Sequence, residues 1–483
     1  VKPALSLNDL CAAIPEATAA LLVRVVASAC RDGLPIYLVG GPVRDILLGR
    51  RLVDVDLMLE GEAKSLAQKL AQGSTGADLE IVVHDRFGTV RIESAEASID
   101  LAGLRHETYS RAGALPDVEP GSLEQDIHRR DFSINALLCP LDSENPDRRH
   151  AIIDLEGGLE DLAKKRLRVL HARSFHDDPT RAWRAARFAS RLGFGLDRSS
   201  RNALRNALRD GAFGAVSGER FRRELQFAFD EAQHDVHVGR TLRLLSEWHV
   251  LAALEPGLVV RGDQLKPLRK LSKAIAQPEW PTARWRGWVA GLSIWLAPLP
   301  AALRRRTLDR LSIRGEQAAR IARFARESDR TLKALARARG RGAVDATLGD
   351  LSEEAIQAIY SLADAPVRRR MLRWGAEDRR RPAPVTGGDL VELGLAGPDV
   401  GKALARIRSG FLDGEVANRE EALALAEEIA RRTERRKPAD QPKRVRRKVA
   451  QNSAITDTPG DRSGPNSPRT DSAGAPDSAE PSE

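Results

Sequence analysis

The chain has 483 residues, 30% of them charged, with 77 Lys and Arg against 68 Asp and Glu for a formal charge of +9. At about 100 to 200 residues per domain, this length implies two to four folded units. The basic balance favours a polyanionic partner without naming one. Cys11, Cys30 and Cys139 are far apart and form no C-x-x-C pair, which argues against zinc-ribbon and dithiol redox motifs and fits a reducing compartment. No run approaches the roughly 18 consecutive apolar residues of a membrane span, and the first residues lack a basic segment followed by an apolar run. A cytoplasmic protein with no membrane partner is expected.

From Ile36 to about Asp154, short β-rich runs alternate with helix-like ones: IYLV at 36–39, VDVDLML at 53–59, LEIVVH at 79–84, GTVRIE at 88–93 and SIDLA at 98–102. This predicts an α+β unit. Beyond Arg168 the strand signals nearly vanish, and Ala, Leu and Arg recur at helical spacing, as in TRAWRAARFASRLGF at 180–194 and EEALALAEEIARRTERR at 420–436. The last fifty residues open with the basic cluster RRKPADQPKRVRRK at 435–448. They continue into a Ser-, Pro-, Gly- and Asp-rich stretch with too few large apolar residues to fold.

The first chemical signal is GGPVRDILLGR at 40–50, directly after the apolar run IYLV. Gly40 and Gly41 let backbone N–H groups approach a phosphate, Pro42 suits a first helical turn, and Arg44 is placed to contact a triphosphate. The stretch is neither a P-loop nor a dinucleotide G-x-G-x-x-G. Asp54 and Asp56 follow. Two apart on a strand, they share one face at about 7 Å between Cα atoms, with Val53, Val55 and Leu57 on the other. Such a pair can hold Mg²⁺ together with substrate phosphates, and Asp100 on another run offers a third ligand. In isolation, D-x-D reads more readily as a solvated strand face.

Context decides between these readings. GGPVRDILLGR followed by DVD resembles the signature of the class II tRNA nucleotidyltransferase and bacterial poly(A) polymerase family. The likeness continues through HDRFGTV at 84–90, LRHETYSRAGALPDVEPGSLEQDIHRRDFSINA at 104–136, DLEGGLEDLAKKRLRVL at 154–170, SFHDDPTRAWRAARFASRLGF at 174–194 and SGERFRREL at 217–225, and more weakly TGGDLVELGLAGPDVGKAL at 386–404. The resemblance implies a polymerase-β-like head with a mixed β-sheet over residues 1–170. All-α neck (171–253), body (254–380) and RNA-binding tail (381–433) domains would follow, then a disordered segment at 434–483. It implies that Gly41 and Arg44 bind nucleotide, that Asp54 and Asp56 bind Mg²⁺ and carry catalysis, that Arg130 binds nucleotide and that Asp131 contacts its ribose.

The run Asp177-Asp178-Pro179-Thr180-Arg181 resembles the family's E-D-x-x-R nucleotide-selecting motif, with Asp in place of Glu at the first position. A carboxylate only accepts hydrogen bonds and a guanidinium only donates, so Asp178 beside Arg181 demands a base edge with a donor next to an acceptor. Cytosine and adenine offer that edge; uracil and guanine invert it, leaving buried groups unpaired at a cost of several kcal/mol. Asp178 is also placed to cap a helix beginning at Pro179. Arg184 and Arg187 continue the three-residue spacing, and in the family those positions bind nucleotide. Arg191 is expected on a solvated basic face, and SGERFRREL is expected to begin a supporting helix with Ser217 near its cap.

His234, Asp235 and His237 lack the further ligands of a phosphohydrolase site. Trp280, Trp285, Trp288 and Trp295 are expected to pack the helical body. The implied activity is CCA addition to tRNA from CTP and ATP, releasing pyrophosphate, Mg²⁺-dependent and without a nucleic-acid template or an obligate protein partner. The stretch at 107–123 resembles a mobile loop that CC-only members lack, while GALPDVEPGSL and LRVLHARSFHDDPTR resemble members of lineages where CC and A addition are divided. A-only addition and poly(A) synthesis therefore stay open. From other classes, the long basic helical half argues against a small-molecule nucleotidyltransferase, and the intact Asp54 and Asp56 against an inactive RNA-binding protein.

Overall fold

The computed structural model describes residues 3–52, 54–72, 79–84, 88–111, 113–114, 116–230, 237–275 and 287–436. The first compact unit runs to Ala430; of the second, residues 431–436 are helical. Val53, Trp280, Trp285, His234, Asp235 and the segment after 436 lie outside the described residues. Within them no helix is long and apolar enough to cross a membrane.

The first unit begins as an α+β head. Its helix α1 (Glu16–Arg31) buries Leu21, Leu22, Val25, Val26 and Ala29, a stripe at helical spacing that faces the sheet. Strand β1 (Ile36–Val39) runs into α2 (Gly41–Leu47), followed by β2 (Asp56–Leu59), α3 (Ala63–Gln72), β3 (Glu80–His84), β4 (Thr89–Glu93), β5 (Ser98–Gly103), α4 (Leu123–His128) and β6 (Leu138–Pro140). The sheet order is β3-β4-β5-β2-β1-β6, with β2 and β5 parallel and the other pairs antiparallel, so the sheet is mixed as expected. The 53–59 run is shorter as a strand than its pattern suggests: ladder pairing on β1 begins at Leu57, and Asp54 and Val55 precede β2.

Alternation along the strands sorts the two faces. Ile36, Leu38, Leu57, Leu59, Ile99 and Leu101 join the core under α1 and α3, while Val39, Met58 and Leu138 pack with Ile127 on the opposite face. From Phe132 onward a second core continues without a break to Trp374. It includes α5 (Arg181–Leu192), α6 (Gly218–Asp230) and α7 (Gly287–Leu296), and every residue of α7 is buried. Trp288 and Trp295 are both in that core, as expected. A third core gathers Val385, Leu390, Ile407, Ala422 and Ala426. One departure from an all-helical continuation is Gly195–Leu196, a two-residue strand parallel to Arg166–Leu167. The chain turns back after α5 so that Gly195 N–H reaches Lys165 O and Asp197 N–H reaches Leu167 O.

The helices meet closely at Gly291 on α7, where a Cβ would lie 2.0 Å from Cε1 of Phe229 on α6. Gly291→Ala is expected to lower stability by about 1 to 3 kcal/mol, the range for overpacking a dense core. The check is the midpoint of urea unfolding, with Phe229→Leu in the same chain recovering part of the loss.

Candidate active site

One cleft of about 1510 Å³ collects nearly every residue singled out in the sequence. Its floor is the sheet face turned away from α1 and α3. Register aligns three charged residues on adjacent strands there: Asp56 is the partner of Asp100, and Asp100 of Arg91. Arg91 holds both oxygens of Asp100, Nε to Oδ1 at 2.7 Å and Nη2 to Oδ2 at 2.8 Å. Asp54 is exposed at the same floor, and Asp56 is partly buried. Burial, then the charges of Asp100 and Asp54, push the Asp56 carboxyl up to about 6 against the pull of Arg130 and Arg91.

The floor is therefore short of positive charge at Asp56, and its donors are hard oxygens, which suits a divalent cation such as Mg²⁺. Among the described residues no set of three or more His, Cys, Asp or Glu side chains could hold a metal. Asp54 and Asp56 thus stand as a two-carboxylate arrangement, with Asp100 beside them committed to Arg91.

Gly40 forms the wall above the floor. Its φ of 75° lies in the left-handed region, and a Cβ there would meet Asn135 O at 3.3 Å and Arg130 Nη1 at 3.4 Å. Gly41 opens the seven-residue α2. Arg44 lines the cleft, but its guanidinium is buried: Nε and Nη2 each donate to Asp45 at 2.9 Å, and Nη1 donates to Asn135 Oδ1 at 2.5 Å. Asn135 also donates through Nδ2 to Asp131 Oδ1 at 3.0 Å, joining α2 to the RRDFSINA segment.

That segment turns on Asp126, a fully buried carboxylate on α4 that the sequence reading missed. It accepts from Arg129 Nη2 at 2.7 Å and from Arg130 Nη2 at 2.8 Å. Burial alone would raise its carboxyl, but Arg130 and Arg129 hold it below the ordinary value. Its signal in the sequence was the i, i+3 and i+4 spacing to the two arginines. Arg130 Nε is buried without a partner among the described residues.

Helix α5 supplies the roof. It buries Ala182, Trp183, Ala185, Ala186 and Ala189 on one side and turns Arg181, Arg184, Arg187 and Arg191 to the cleft. Arg184 Nη2 lies 2.7 Å from Asp131 Oδ2; burial would raise the Asp131 carboxyl, but Arg184 holds it low. Arg187 pairs with Glu224 of α6 at 2.9 Å. Arg191 is not on a solvated face as expected: it lines the cleft and reaches Asp45 at 2.8 Å, because α5 packs across α2.

Asp178 and Arg181 also line the cleft, yet the helix begins at Arg181, not Pro179, and Asp178 caps no helix by its side chain. Its Oδ1 accepts from Thr180 N–H at 3.0 Å, Thr180 Oγ1 at 2.6 Å and Arg220 Nη2 at 2.7 Å. Its Oδ2 has no partner among the described residues. Arg181 donates through Nη1 to Ser174 Oγ at 2.6 Å and through Nη2 to Arg129 O at 2.8 Å, which fixes the plane of its fork. Arg220, one turn into the helix expected from SGERFRREL, was not singled out in the sequence. It also donates to Gly113 O at 2.9 Å.

Residues 36–168 match the family model described as the Poly A polymerase head domain. The chain is 31% identical to the A-adding tRNA nucleotidyltransferase of Geobacter sulfurreducens over 86% of its own length, but spans only 48% of that longer protein. It is 30% identical to the CC-adding tRNA nucleotidyltransferase of Deinococcus radiodurans, over 80% of this chain and 87% of that one. A solved structure of a CCA-adding enzyme in an apo form superposes with a TM-score of 0.70 at 25% identity, over 88% of this chain and 99% of the other. A mixed sheet bearing paired carboxylates under an arginine-lined helix is thus a head of the Poly A polymerase type. The chain belongs to the tRNA nucleotidyltransferase family.

Asp56 supplies a pH test. Folded Asp56 binds its proton more tightly than an unfolded carboxyl, so the stability that proton contributes is full below the ordinary value of 3.8 and is lost as pH rises to about 6. In a chelator, Asp56→Asn is expected to melt higher than wild type at pH 8 and to show a much smaller gain at pH 4, near the ordinary carboxyl value. Equal differences at both pH values would contradict the assigned environment.

Proposed function

We propose that this protein adds C and A to the 3′ end of tRNA from CTP and ATP, releasing pyrophosphate, in a cytoplasmic setting and without a nucleic-acid template. The observation that carries the reading is the convergence in one cleft of Asp54 and Asp56 with Asp178, Arg181 and Arg184 from the following helices. A carboxylate floor suits the reacting phosphate and hydroxyl, and an arginine wall suits a triphosphate. Mg²⁺ held by Asp54 and Asp56 would neutralise the triphosphate and ease loss of the proton from the attacking 3′ hydroxyl. Gly40 and Gly41 leave room for phosphate against the backbone, Arg130 adds positive charge beside Gly40, and Asp131, held by Asn135 and Arg184, faces the sugar.

Base choice falls to Asp178 and Arg181. With Oδ1 of Asp178 filled by three donors, Oδ2 remains to accept the exocyclic amino group of adenine or cytosine. Arg181 keeps further N–H groups to donate to the adjacent ring nitrogen. A second reading, A-only addition, is supported by the A-adding name of the Geobacter relative, aligned over 86% of this chain. The division into head, neck, body and tail is proposed with the boundaries stated above, the last core at Val385–Ala426 serving as the RNA-binding tail.

Two measurements test this. The first is extension of matched tRNA transcripts ending before CCA, after C and after CC, with Mg²⁺ and CTP, ATP or both. Growth of the shortest to a terminated CCA end supports full addition, one A on the CC-ended transcript alone supports the second reading, and an A ladder supports poly(A) synthesis. Extension that survives Asp56→Ala would sink the metal assignment. The second is Arg220→Ala, expected to lower the ratio of kcat/KM for ATP over GTP about ten-fold by letting the Asp178 carboxylate turn. Arg220→Lys should recover part of that ratio, and an unchanged ratio would remove Arg220 from base choice.

A further inference from the structure

The cleft contains an exposed aromatic ring that the chemistry above does not use. Phe227 on α6 is 38% exposed, and among the described residues it is the only exposed Phe, Tyr or Trp. Leaving a phenyl ring in water forgoes about 25 cal/mol for each Å² not buried, and nothing in the packing of α6 requires it, since Phe221, Leu225 and Phe229 already fill the core side. Its neighbours are cationic. The guanidinium carbons of Arg187 and Arg223 lie 5.0 and 5.6 Å from the ring centroid, and Glu224 holds Arg187 in place. The other phenyl ring lining the cleft, Phe188, is partly buried beneath Arg44 and Arg184.

The position of Phe227 separates it from the base-selecting pair. Arg187 is six residues beyond Arg181 on α5, about 9 Å along the axis at 1.5 Å per residue. The ring therefore sits toward the far end of the arginine row from Asp178 and Arg181. An exposed phenyl ring with two guanidinium groups over it is a surface that can take a nucleobase without regard to its identity, with the arginines turning to the adjoining phosphates.

We infer that Phe227, with Arg187 and Arg223 beside it, is a stacking site for a base at the 3′ end of the RNA acceptor, distinct from the site that reads the incoming base. This rests on the function proposed above and deepens it. An acceptor whose end changes with each addition needs a contact that tolerates any base, and stacking supplies one.

The test is a tRNA transcript carrying 2-aminopurine as its terminal base, with binding followed by anisotropy and stacking by fluorescence quenching. Wild type is expected to quench the probe. Phe227→Ala should lose most of that quenching and raise KM for the transcript about ten-fold, within the range of one base–aromatic stack. KM for ATP and kcat at saturating RNA should stay within about two-fold, and Phe227→Trp should restore quenching. An unaltered melting midpoint in Phe227→Ala establishes that the fold is intact. Undiminished quenching and unchanged KM for RNA in Phe227→Ala would overturn the inference alone, as would a raised KM for ATP with that for RNA unmoved, which would put the incoming base on the ring. If wild type neither binds nor extends the transcript, the functional reading falls and this inference with it.

Discussion

The cleft depends on a run of buried and partly buried polar contacts that ties the head to the helix above it. Asp45 holds Arg44, Arg44 donates to Asn135, Asn135 donates to Asp131, and Asp131 receives Arg184. Arg191 returns to Asp45, closing the circuit between α2 and α5. Buried charges persist only when each is met by a partner, and removing one member strands the next in low dielectric. The contacts thus contribute less to net stability than to fixing one geometry: α5 cannot slide along the head without leaving a carboxylate unpaired.

Charge is divided within that geometry. The floor carries Asp54, Asp56 and Asp100, and the roof and walls carry Arg130, Arg181, Arg184, Arg187 and Arg191. Arg91 removes Asp100 from the competition by taking both of its oxygens, which leaves Asp56 the carboxyl most in want of a cation. Most of the arginines already have carboxylate or carbonyl partners, so an incoming polyanion meets oriented donors and few mobile side chains. Preorganised donors of this kind stabilise developing charge without reorganising at the moment of reaction.

The helical half takes part in this placement. The core that contains Phe132, directly after Asp131, continues through Trp183, Phe221, Phe229 and α7 to Trp374. Packing under α5 therefore sets the pitch of the arginine row, and α6 brings Glu224, Arg220 and Phe227 to the same opening. The close approach of Gly291 to Phe229 shows how little slack that packing contains.

Local spacing made much of this legible in the sequence. Period-two alternation placed Asp56 opposite Leu57, a strand followed by Gly-Gly-Pro marked the turn into α2, and the three-residue arginine spacing after Asp178 marked one face of a helix. Each is a property of a few consecutive residues and the geometry of one element. The family likeness added roles that spacing could not assign. What the tertiary structure alone decided is which charges meet: Asp100 with Arg91, Arg220 with Asp178 across 42 residues, Arg184 with Asp131 across 53 and Arg191 with Asp45 across 146. Those pairings follow from strand register and from how α5 and α6 pack on the head, and neither is encoded in the spacing of nearby residues. The basic face expected at Arg191 is for that reason a partly buried edge of the cleft.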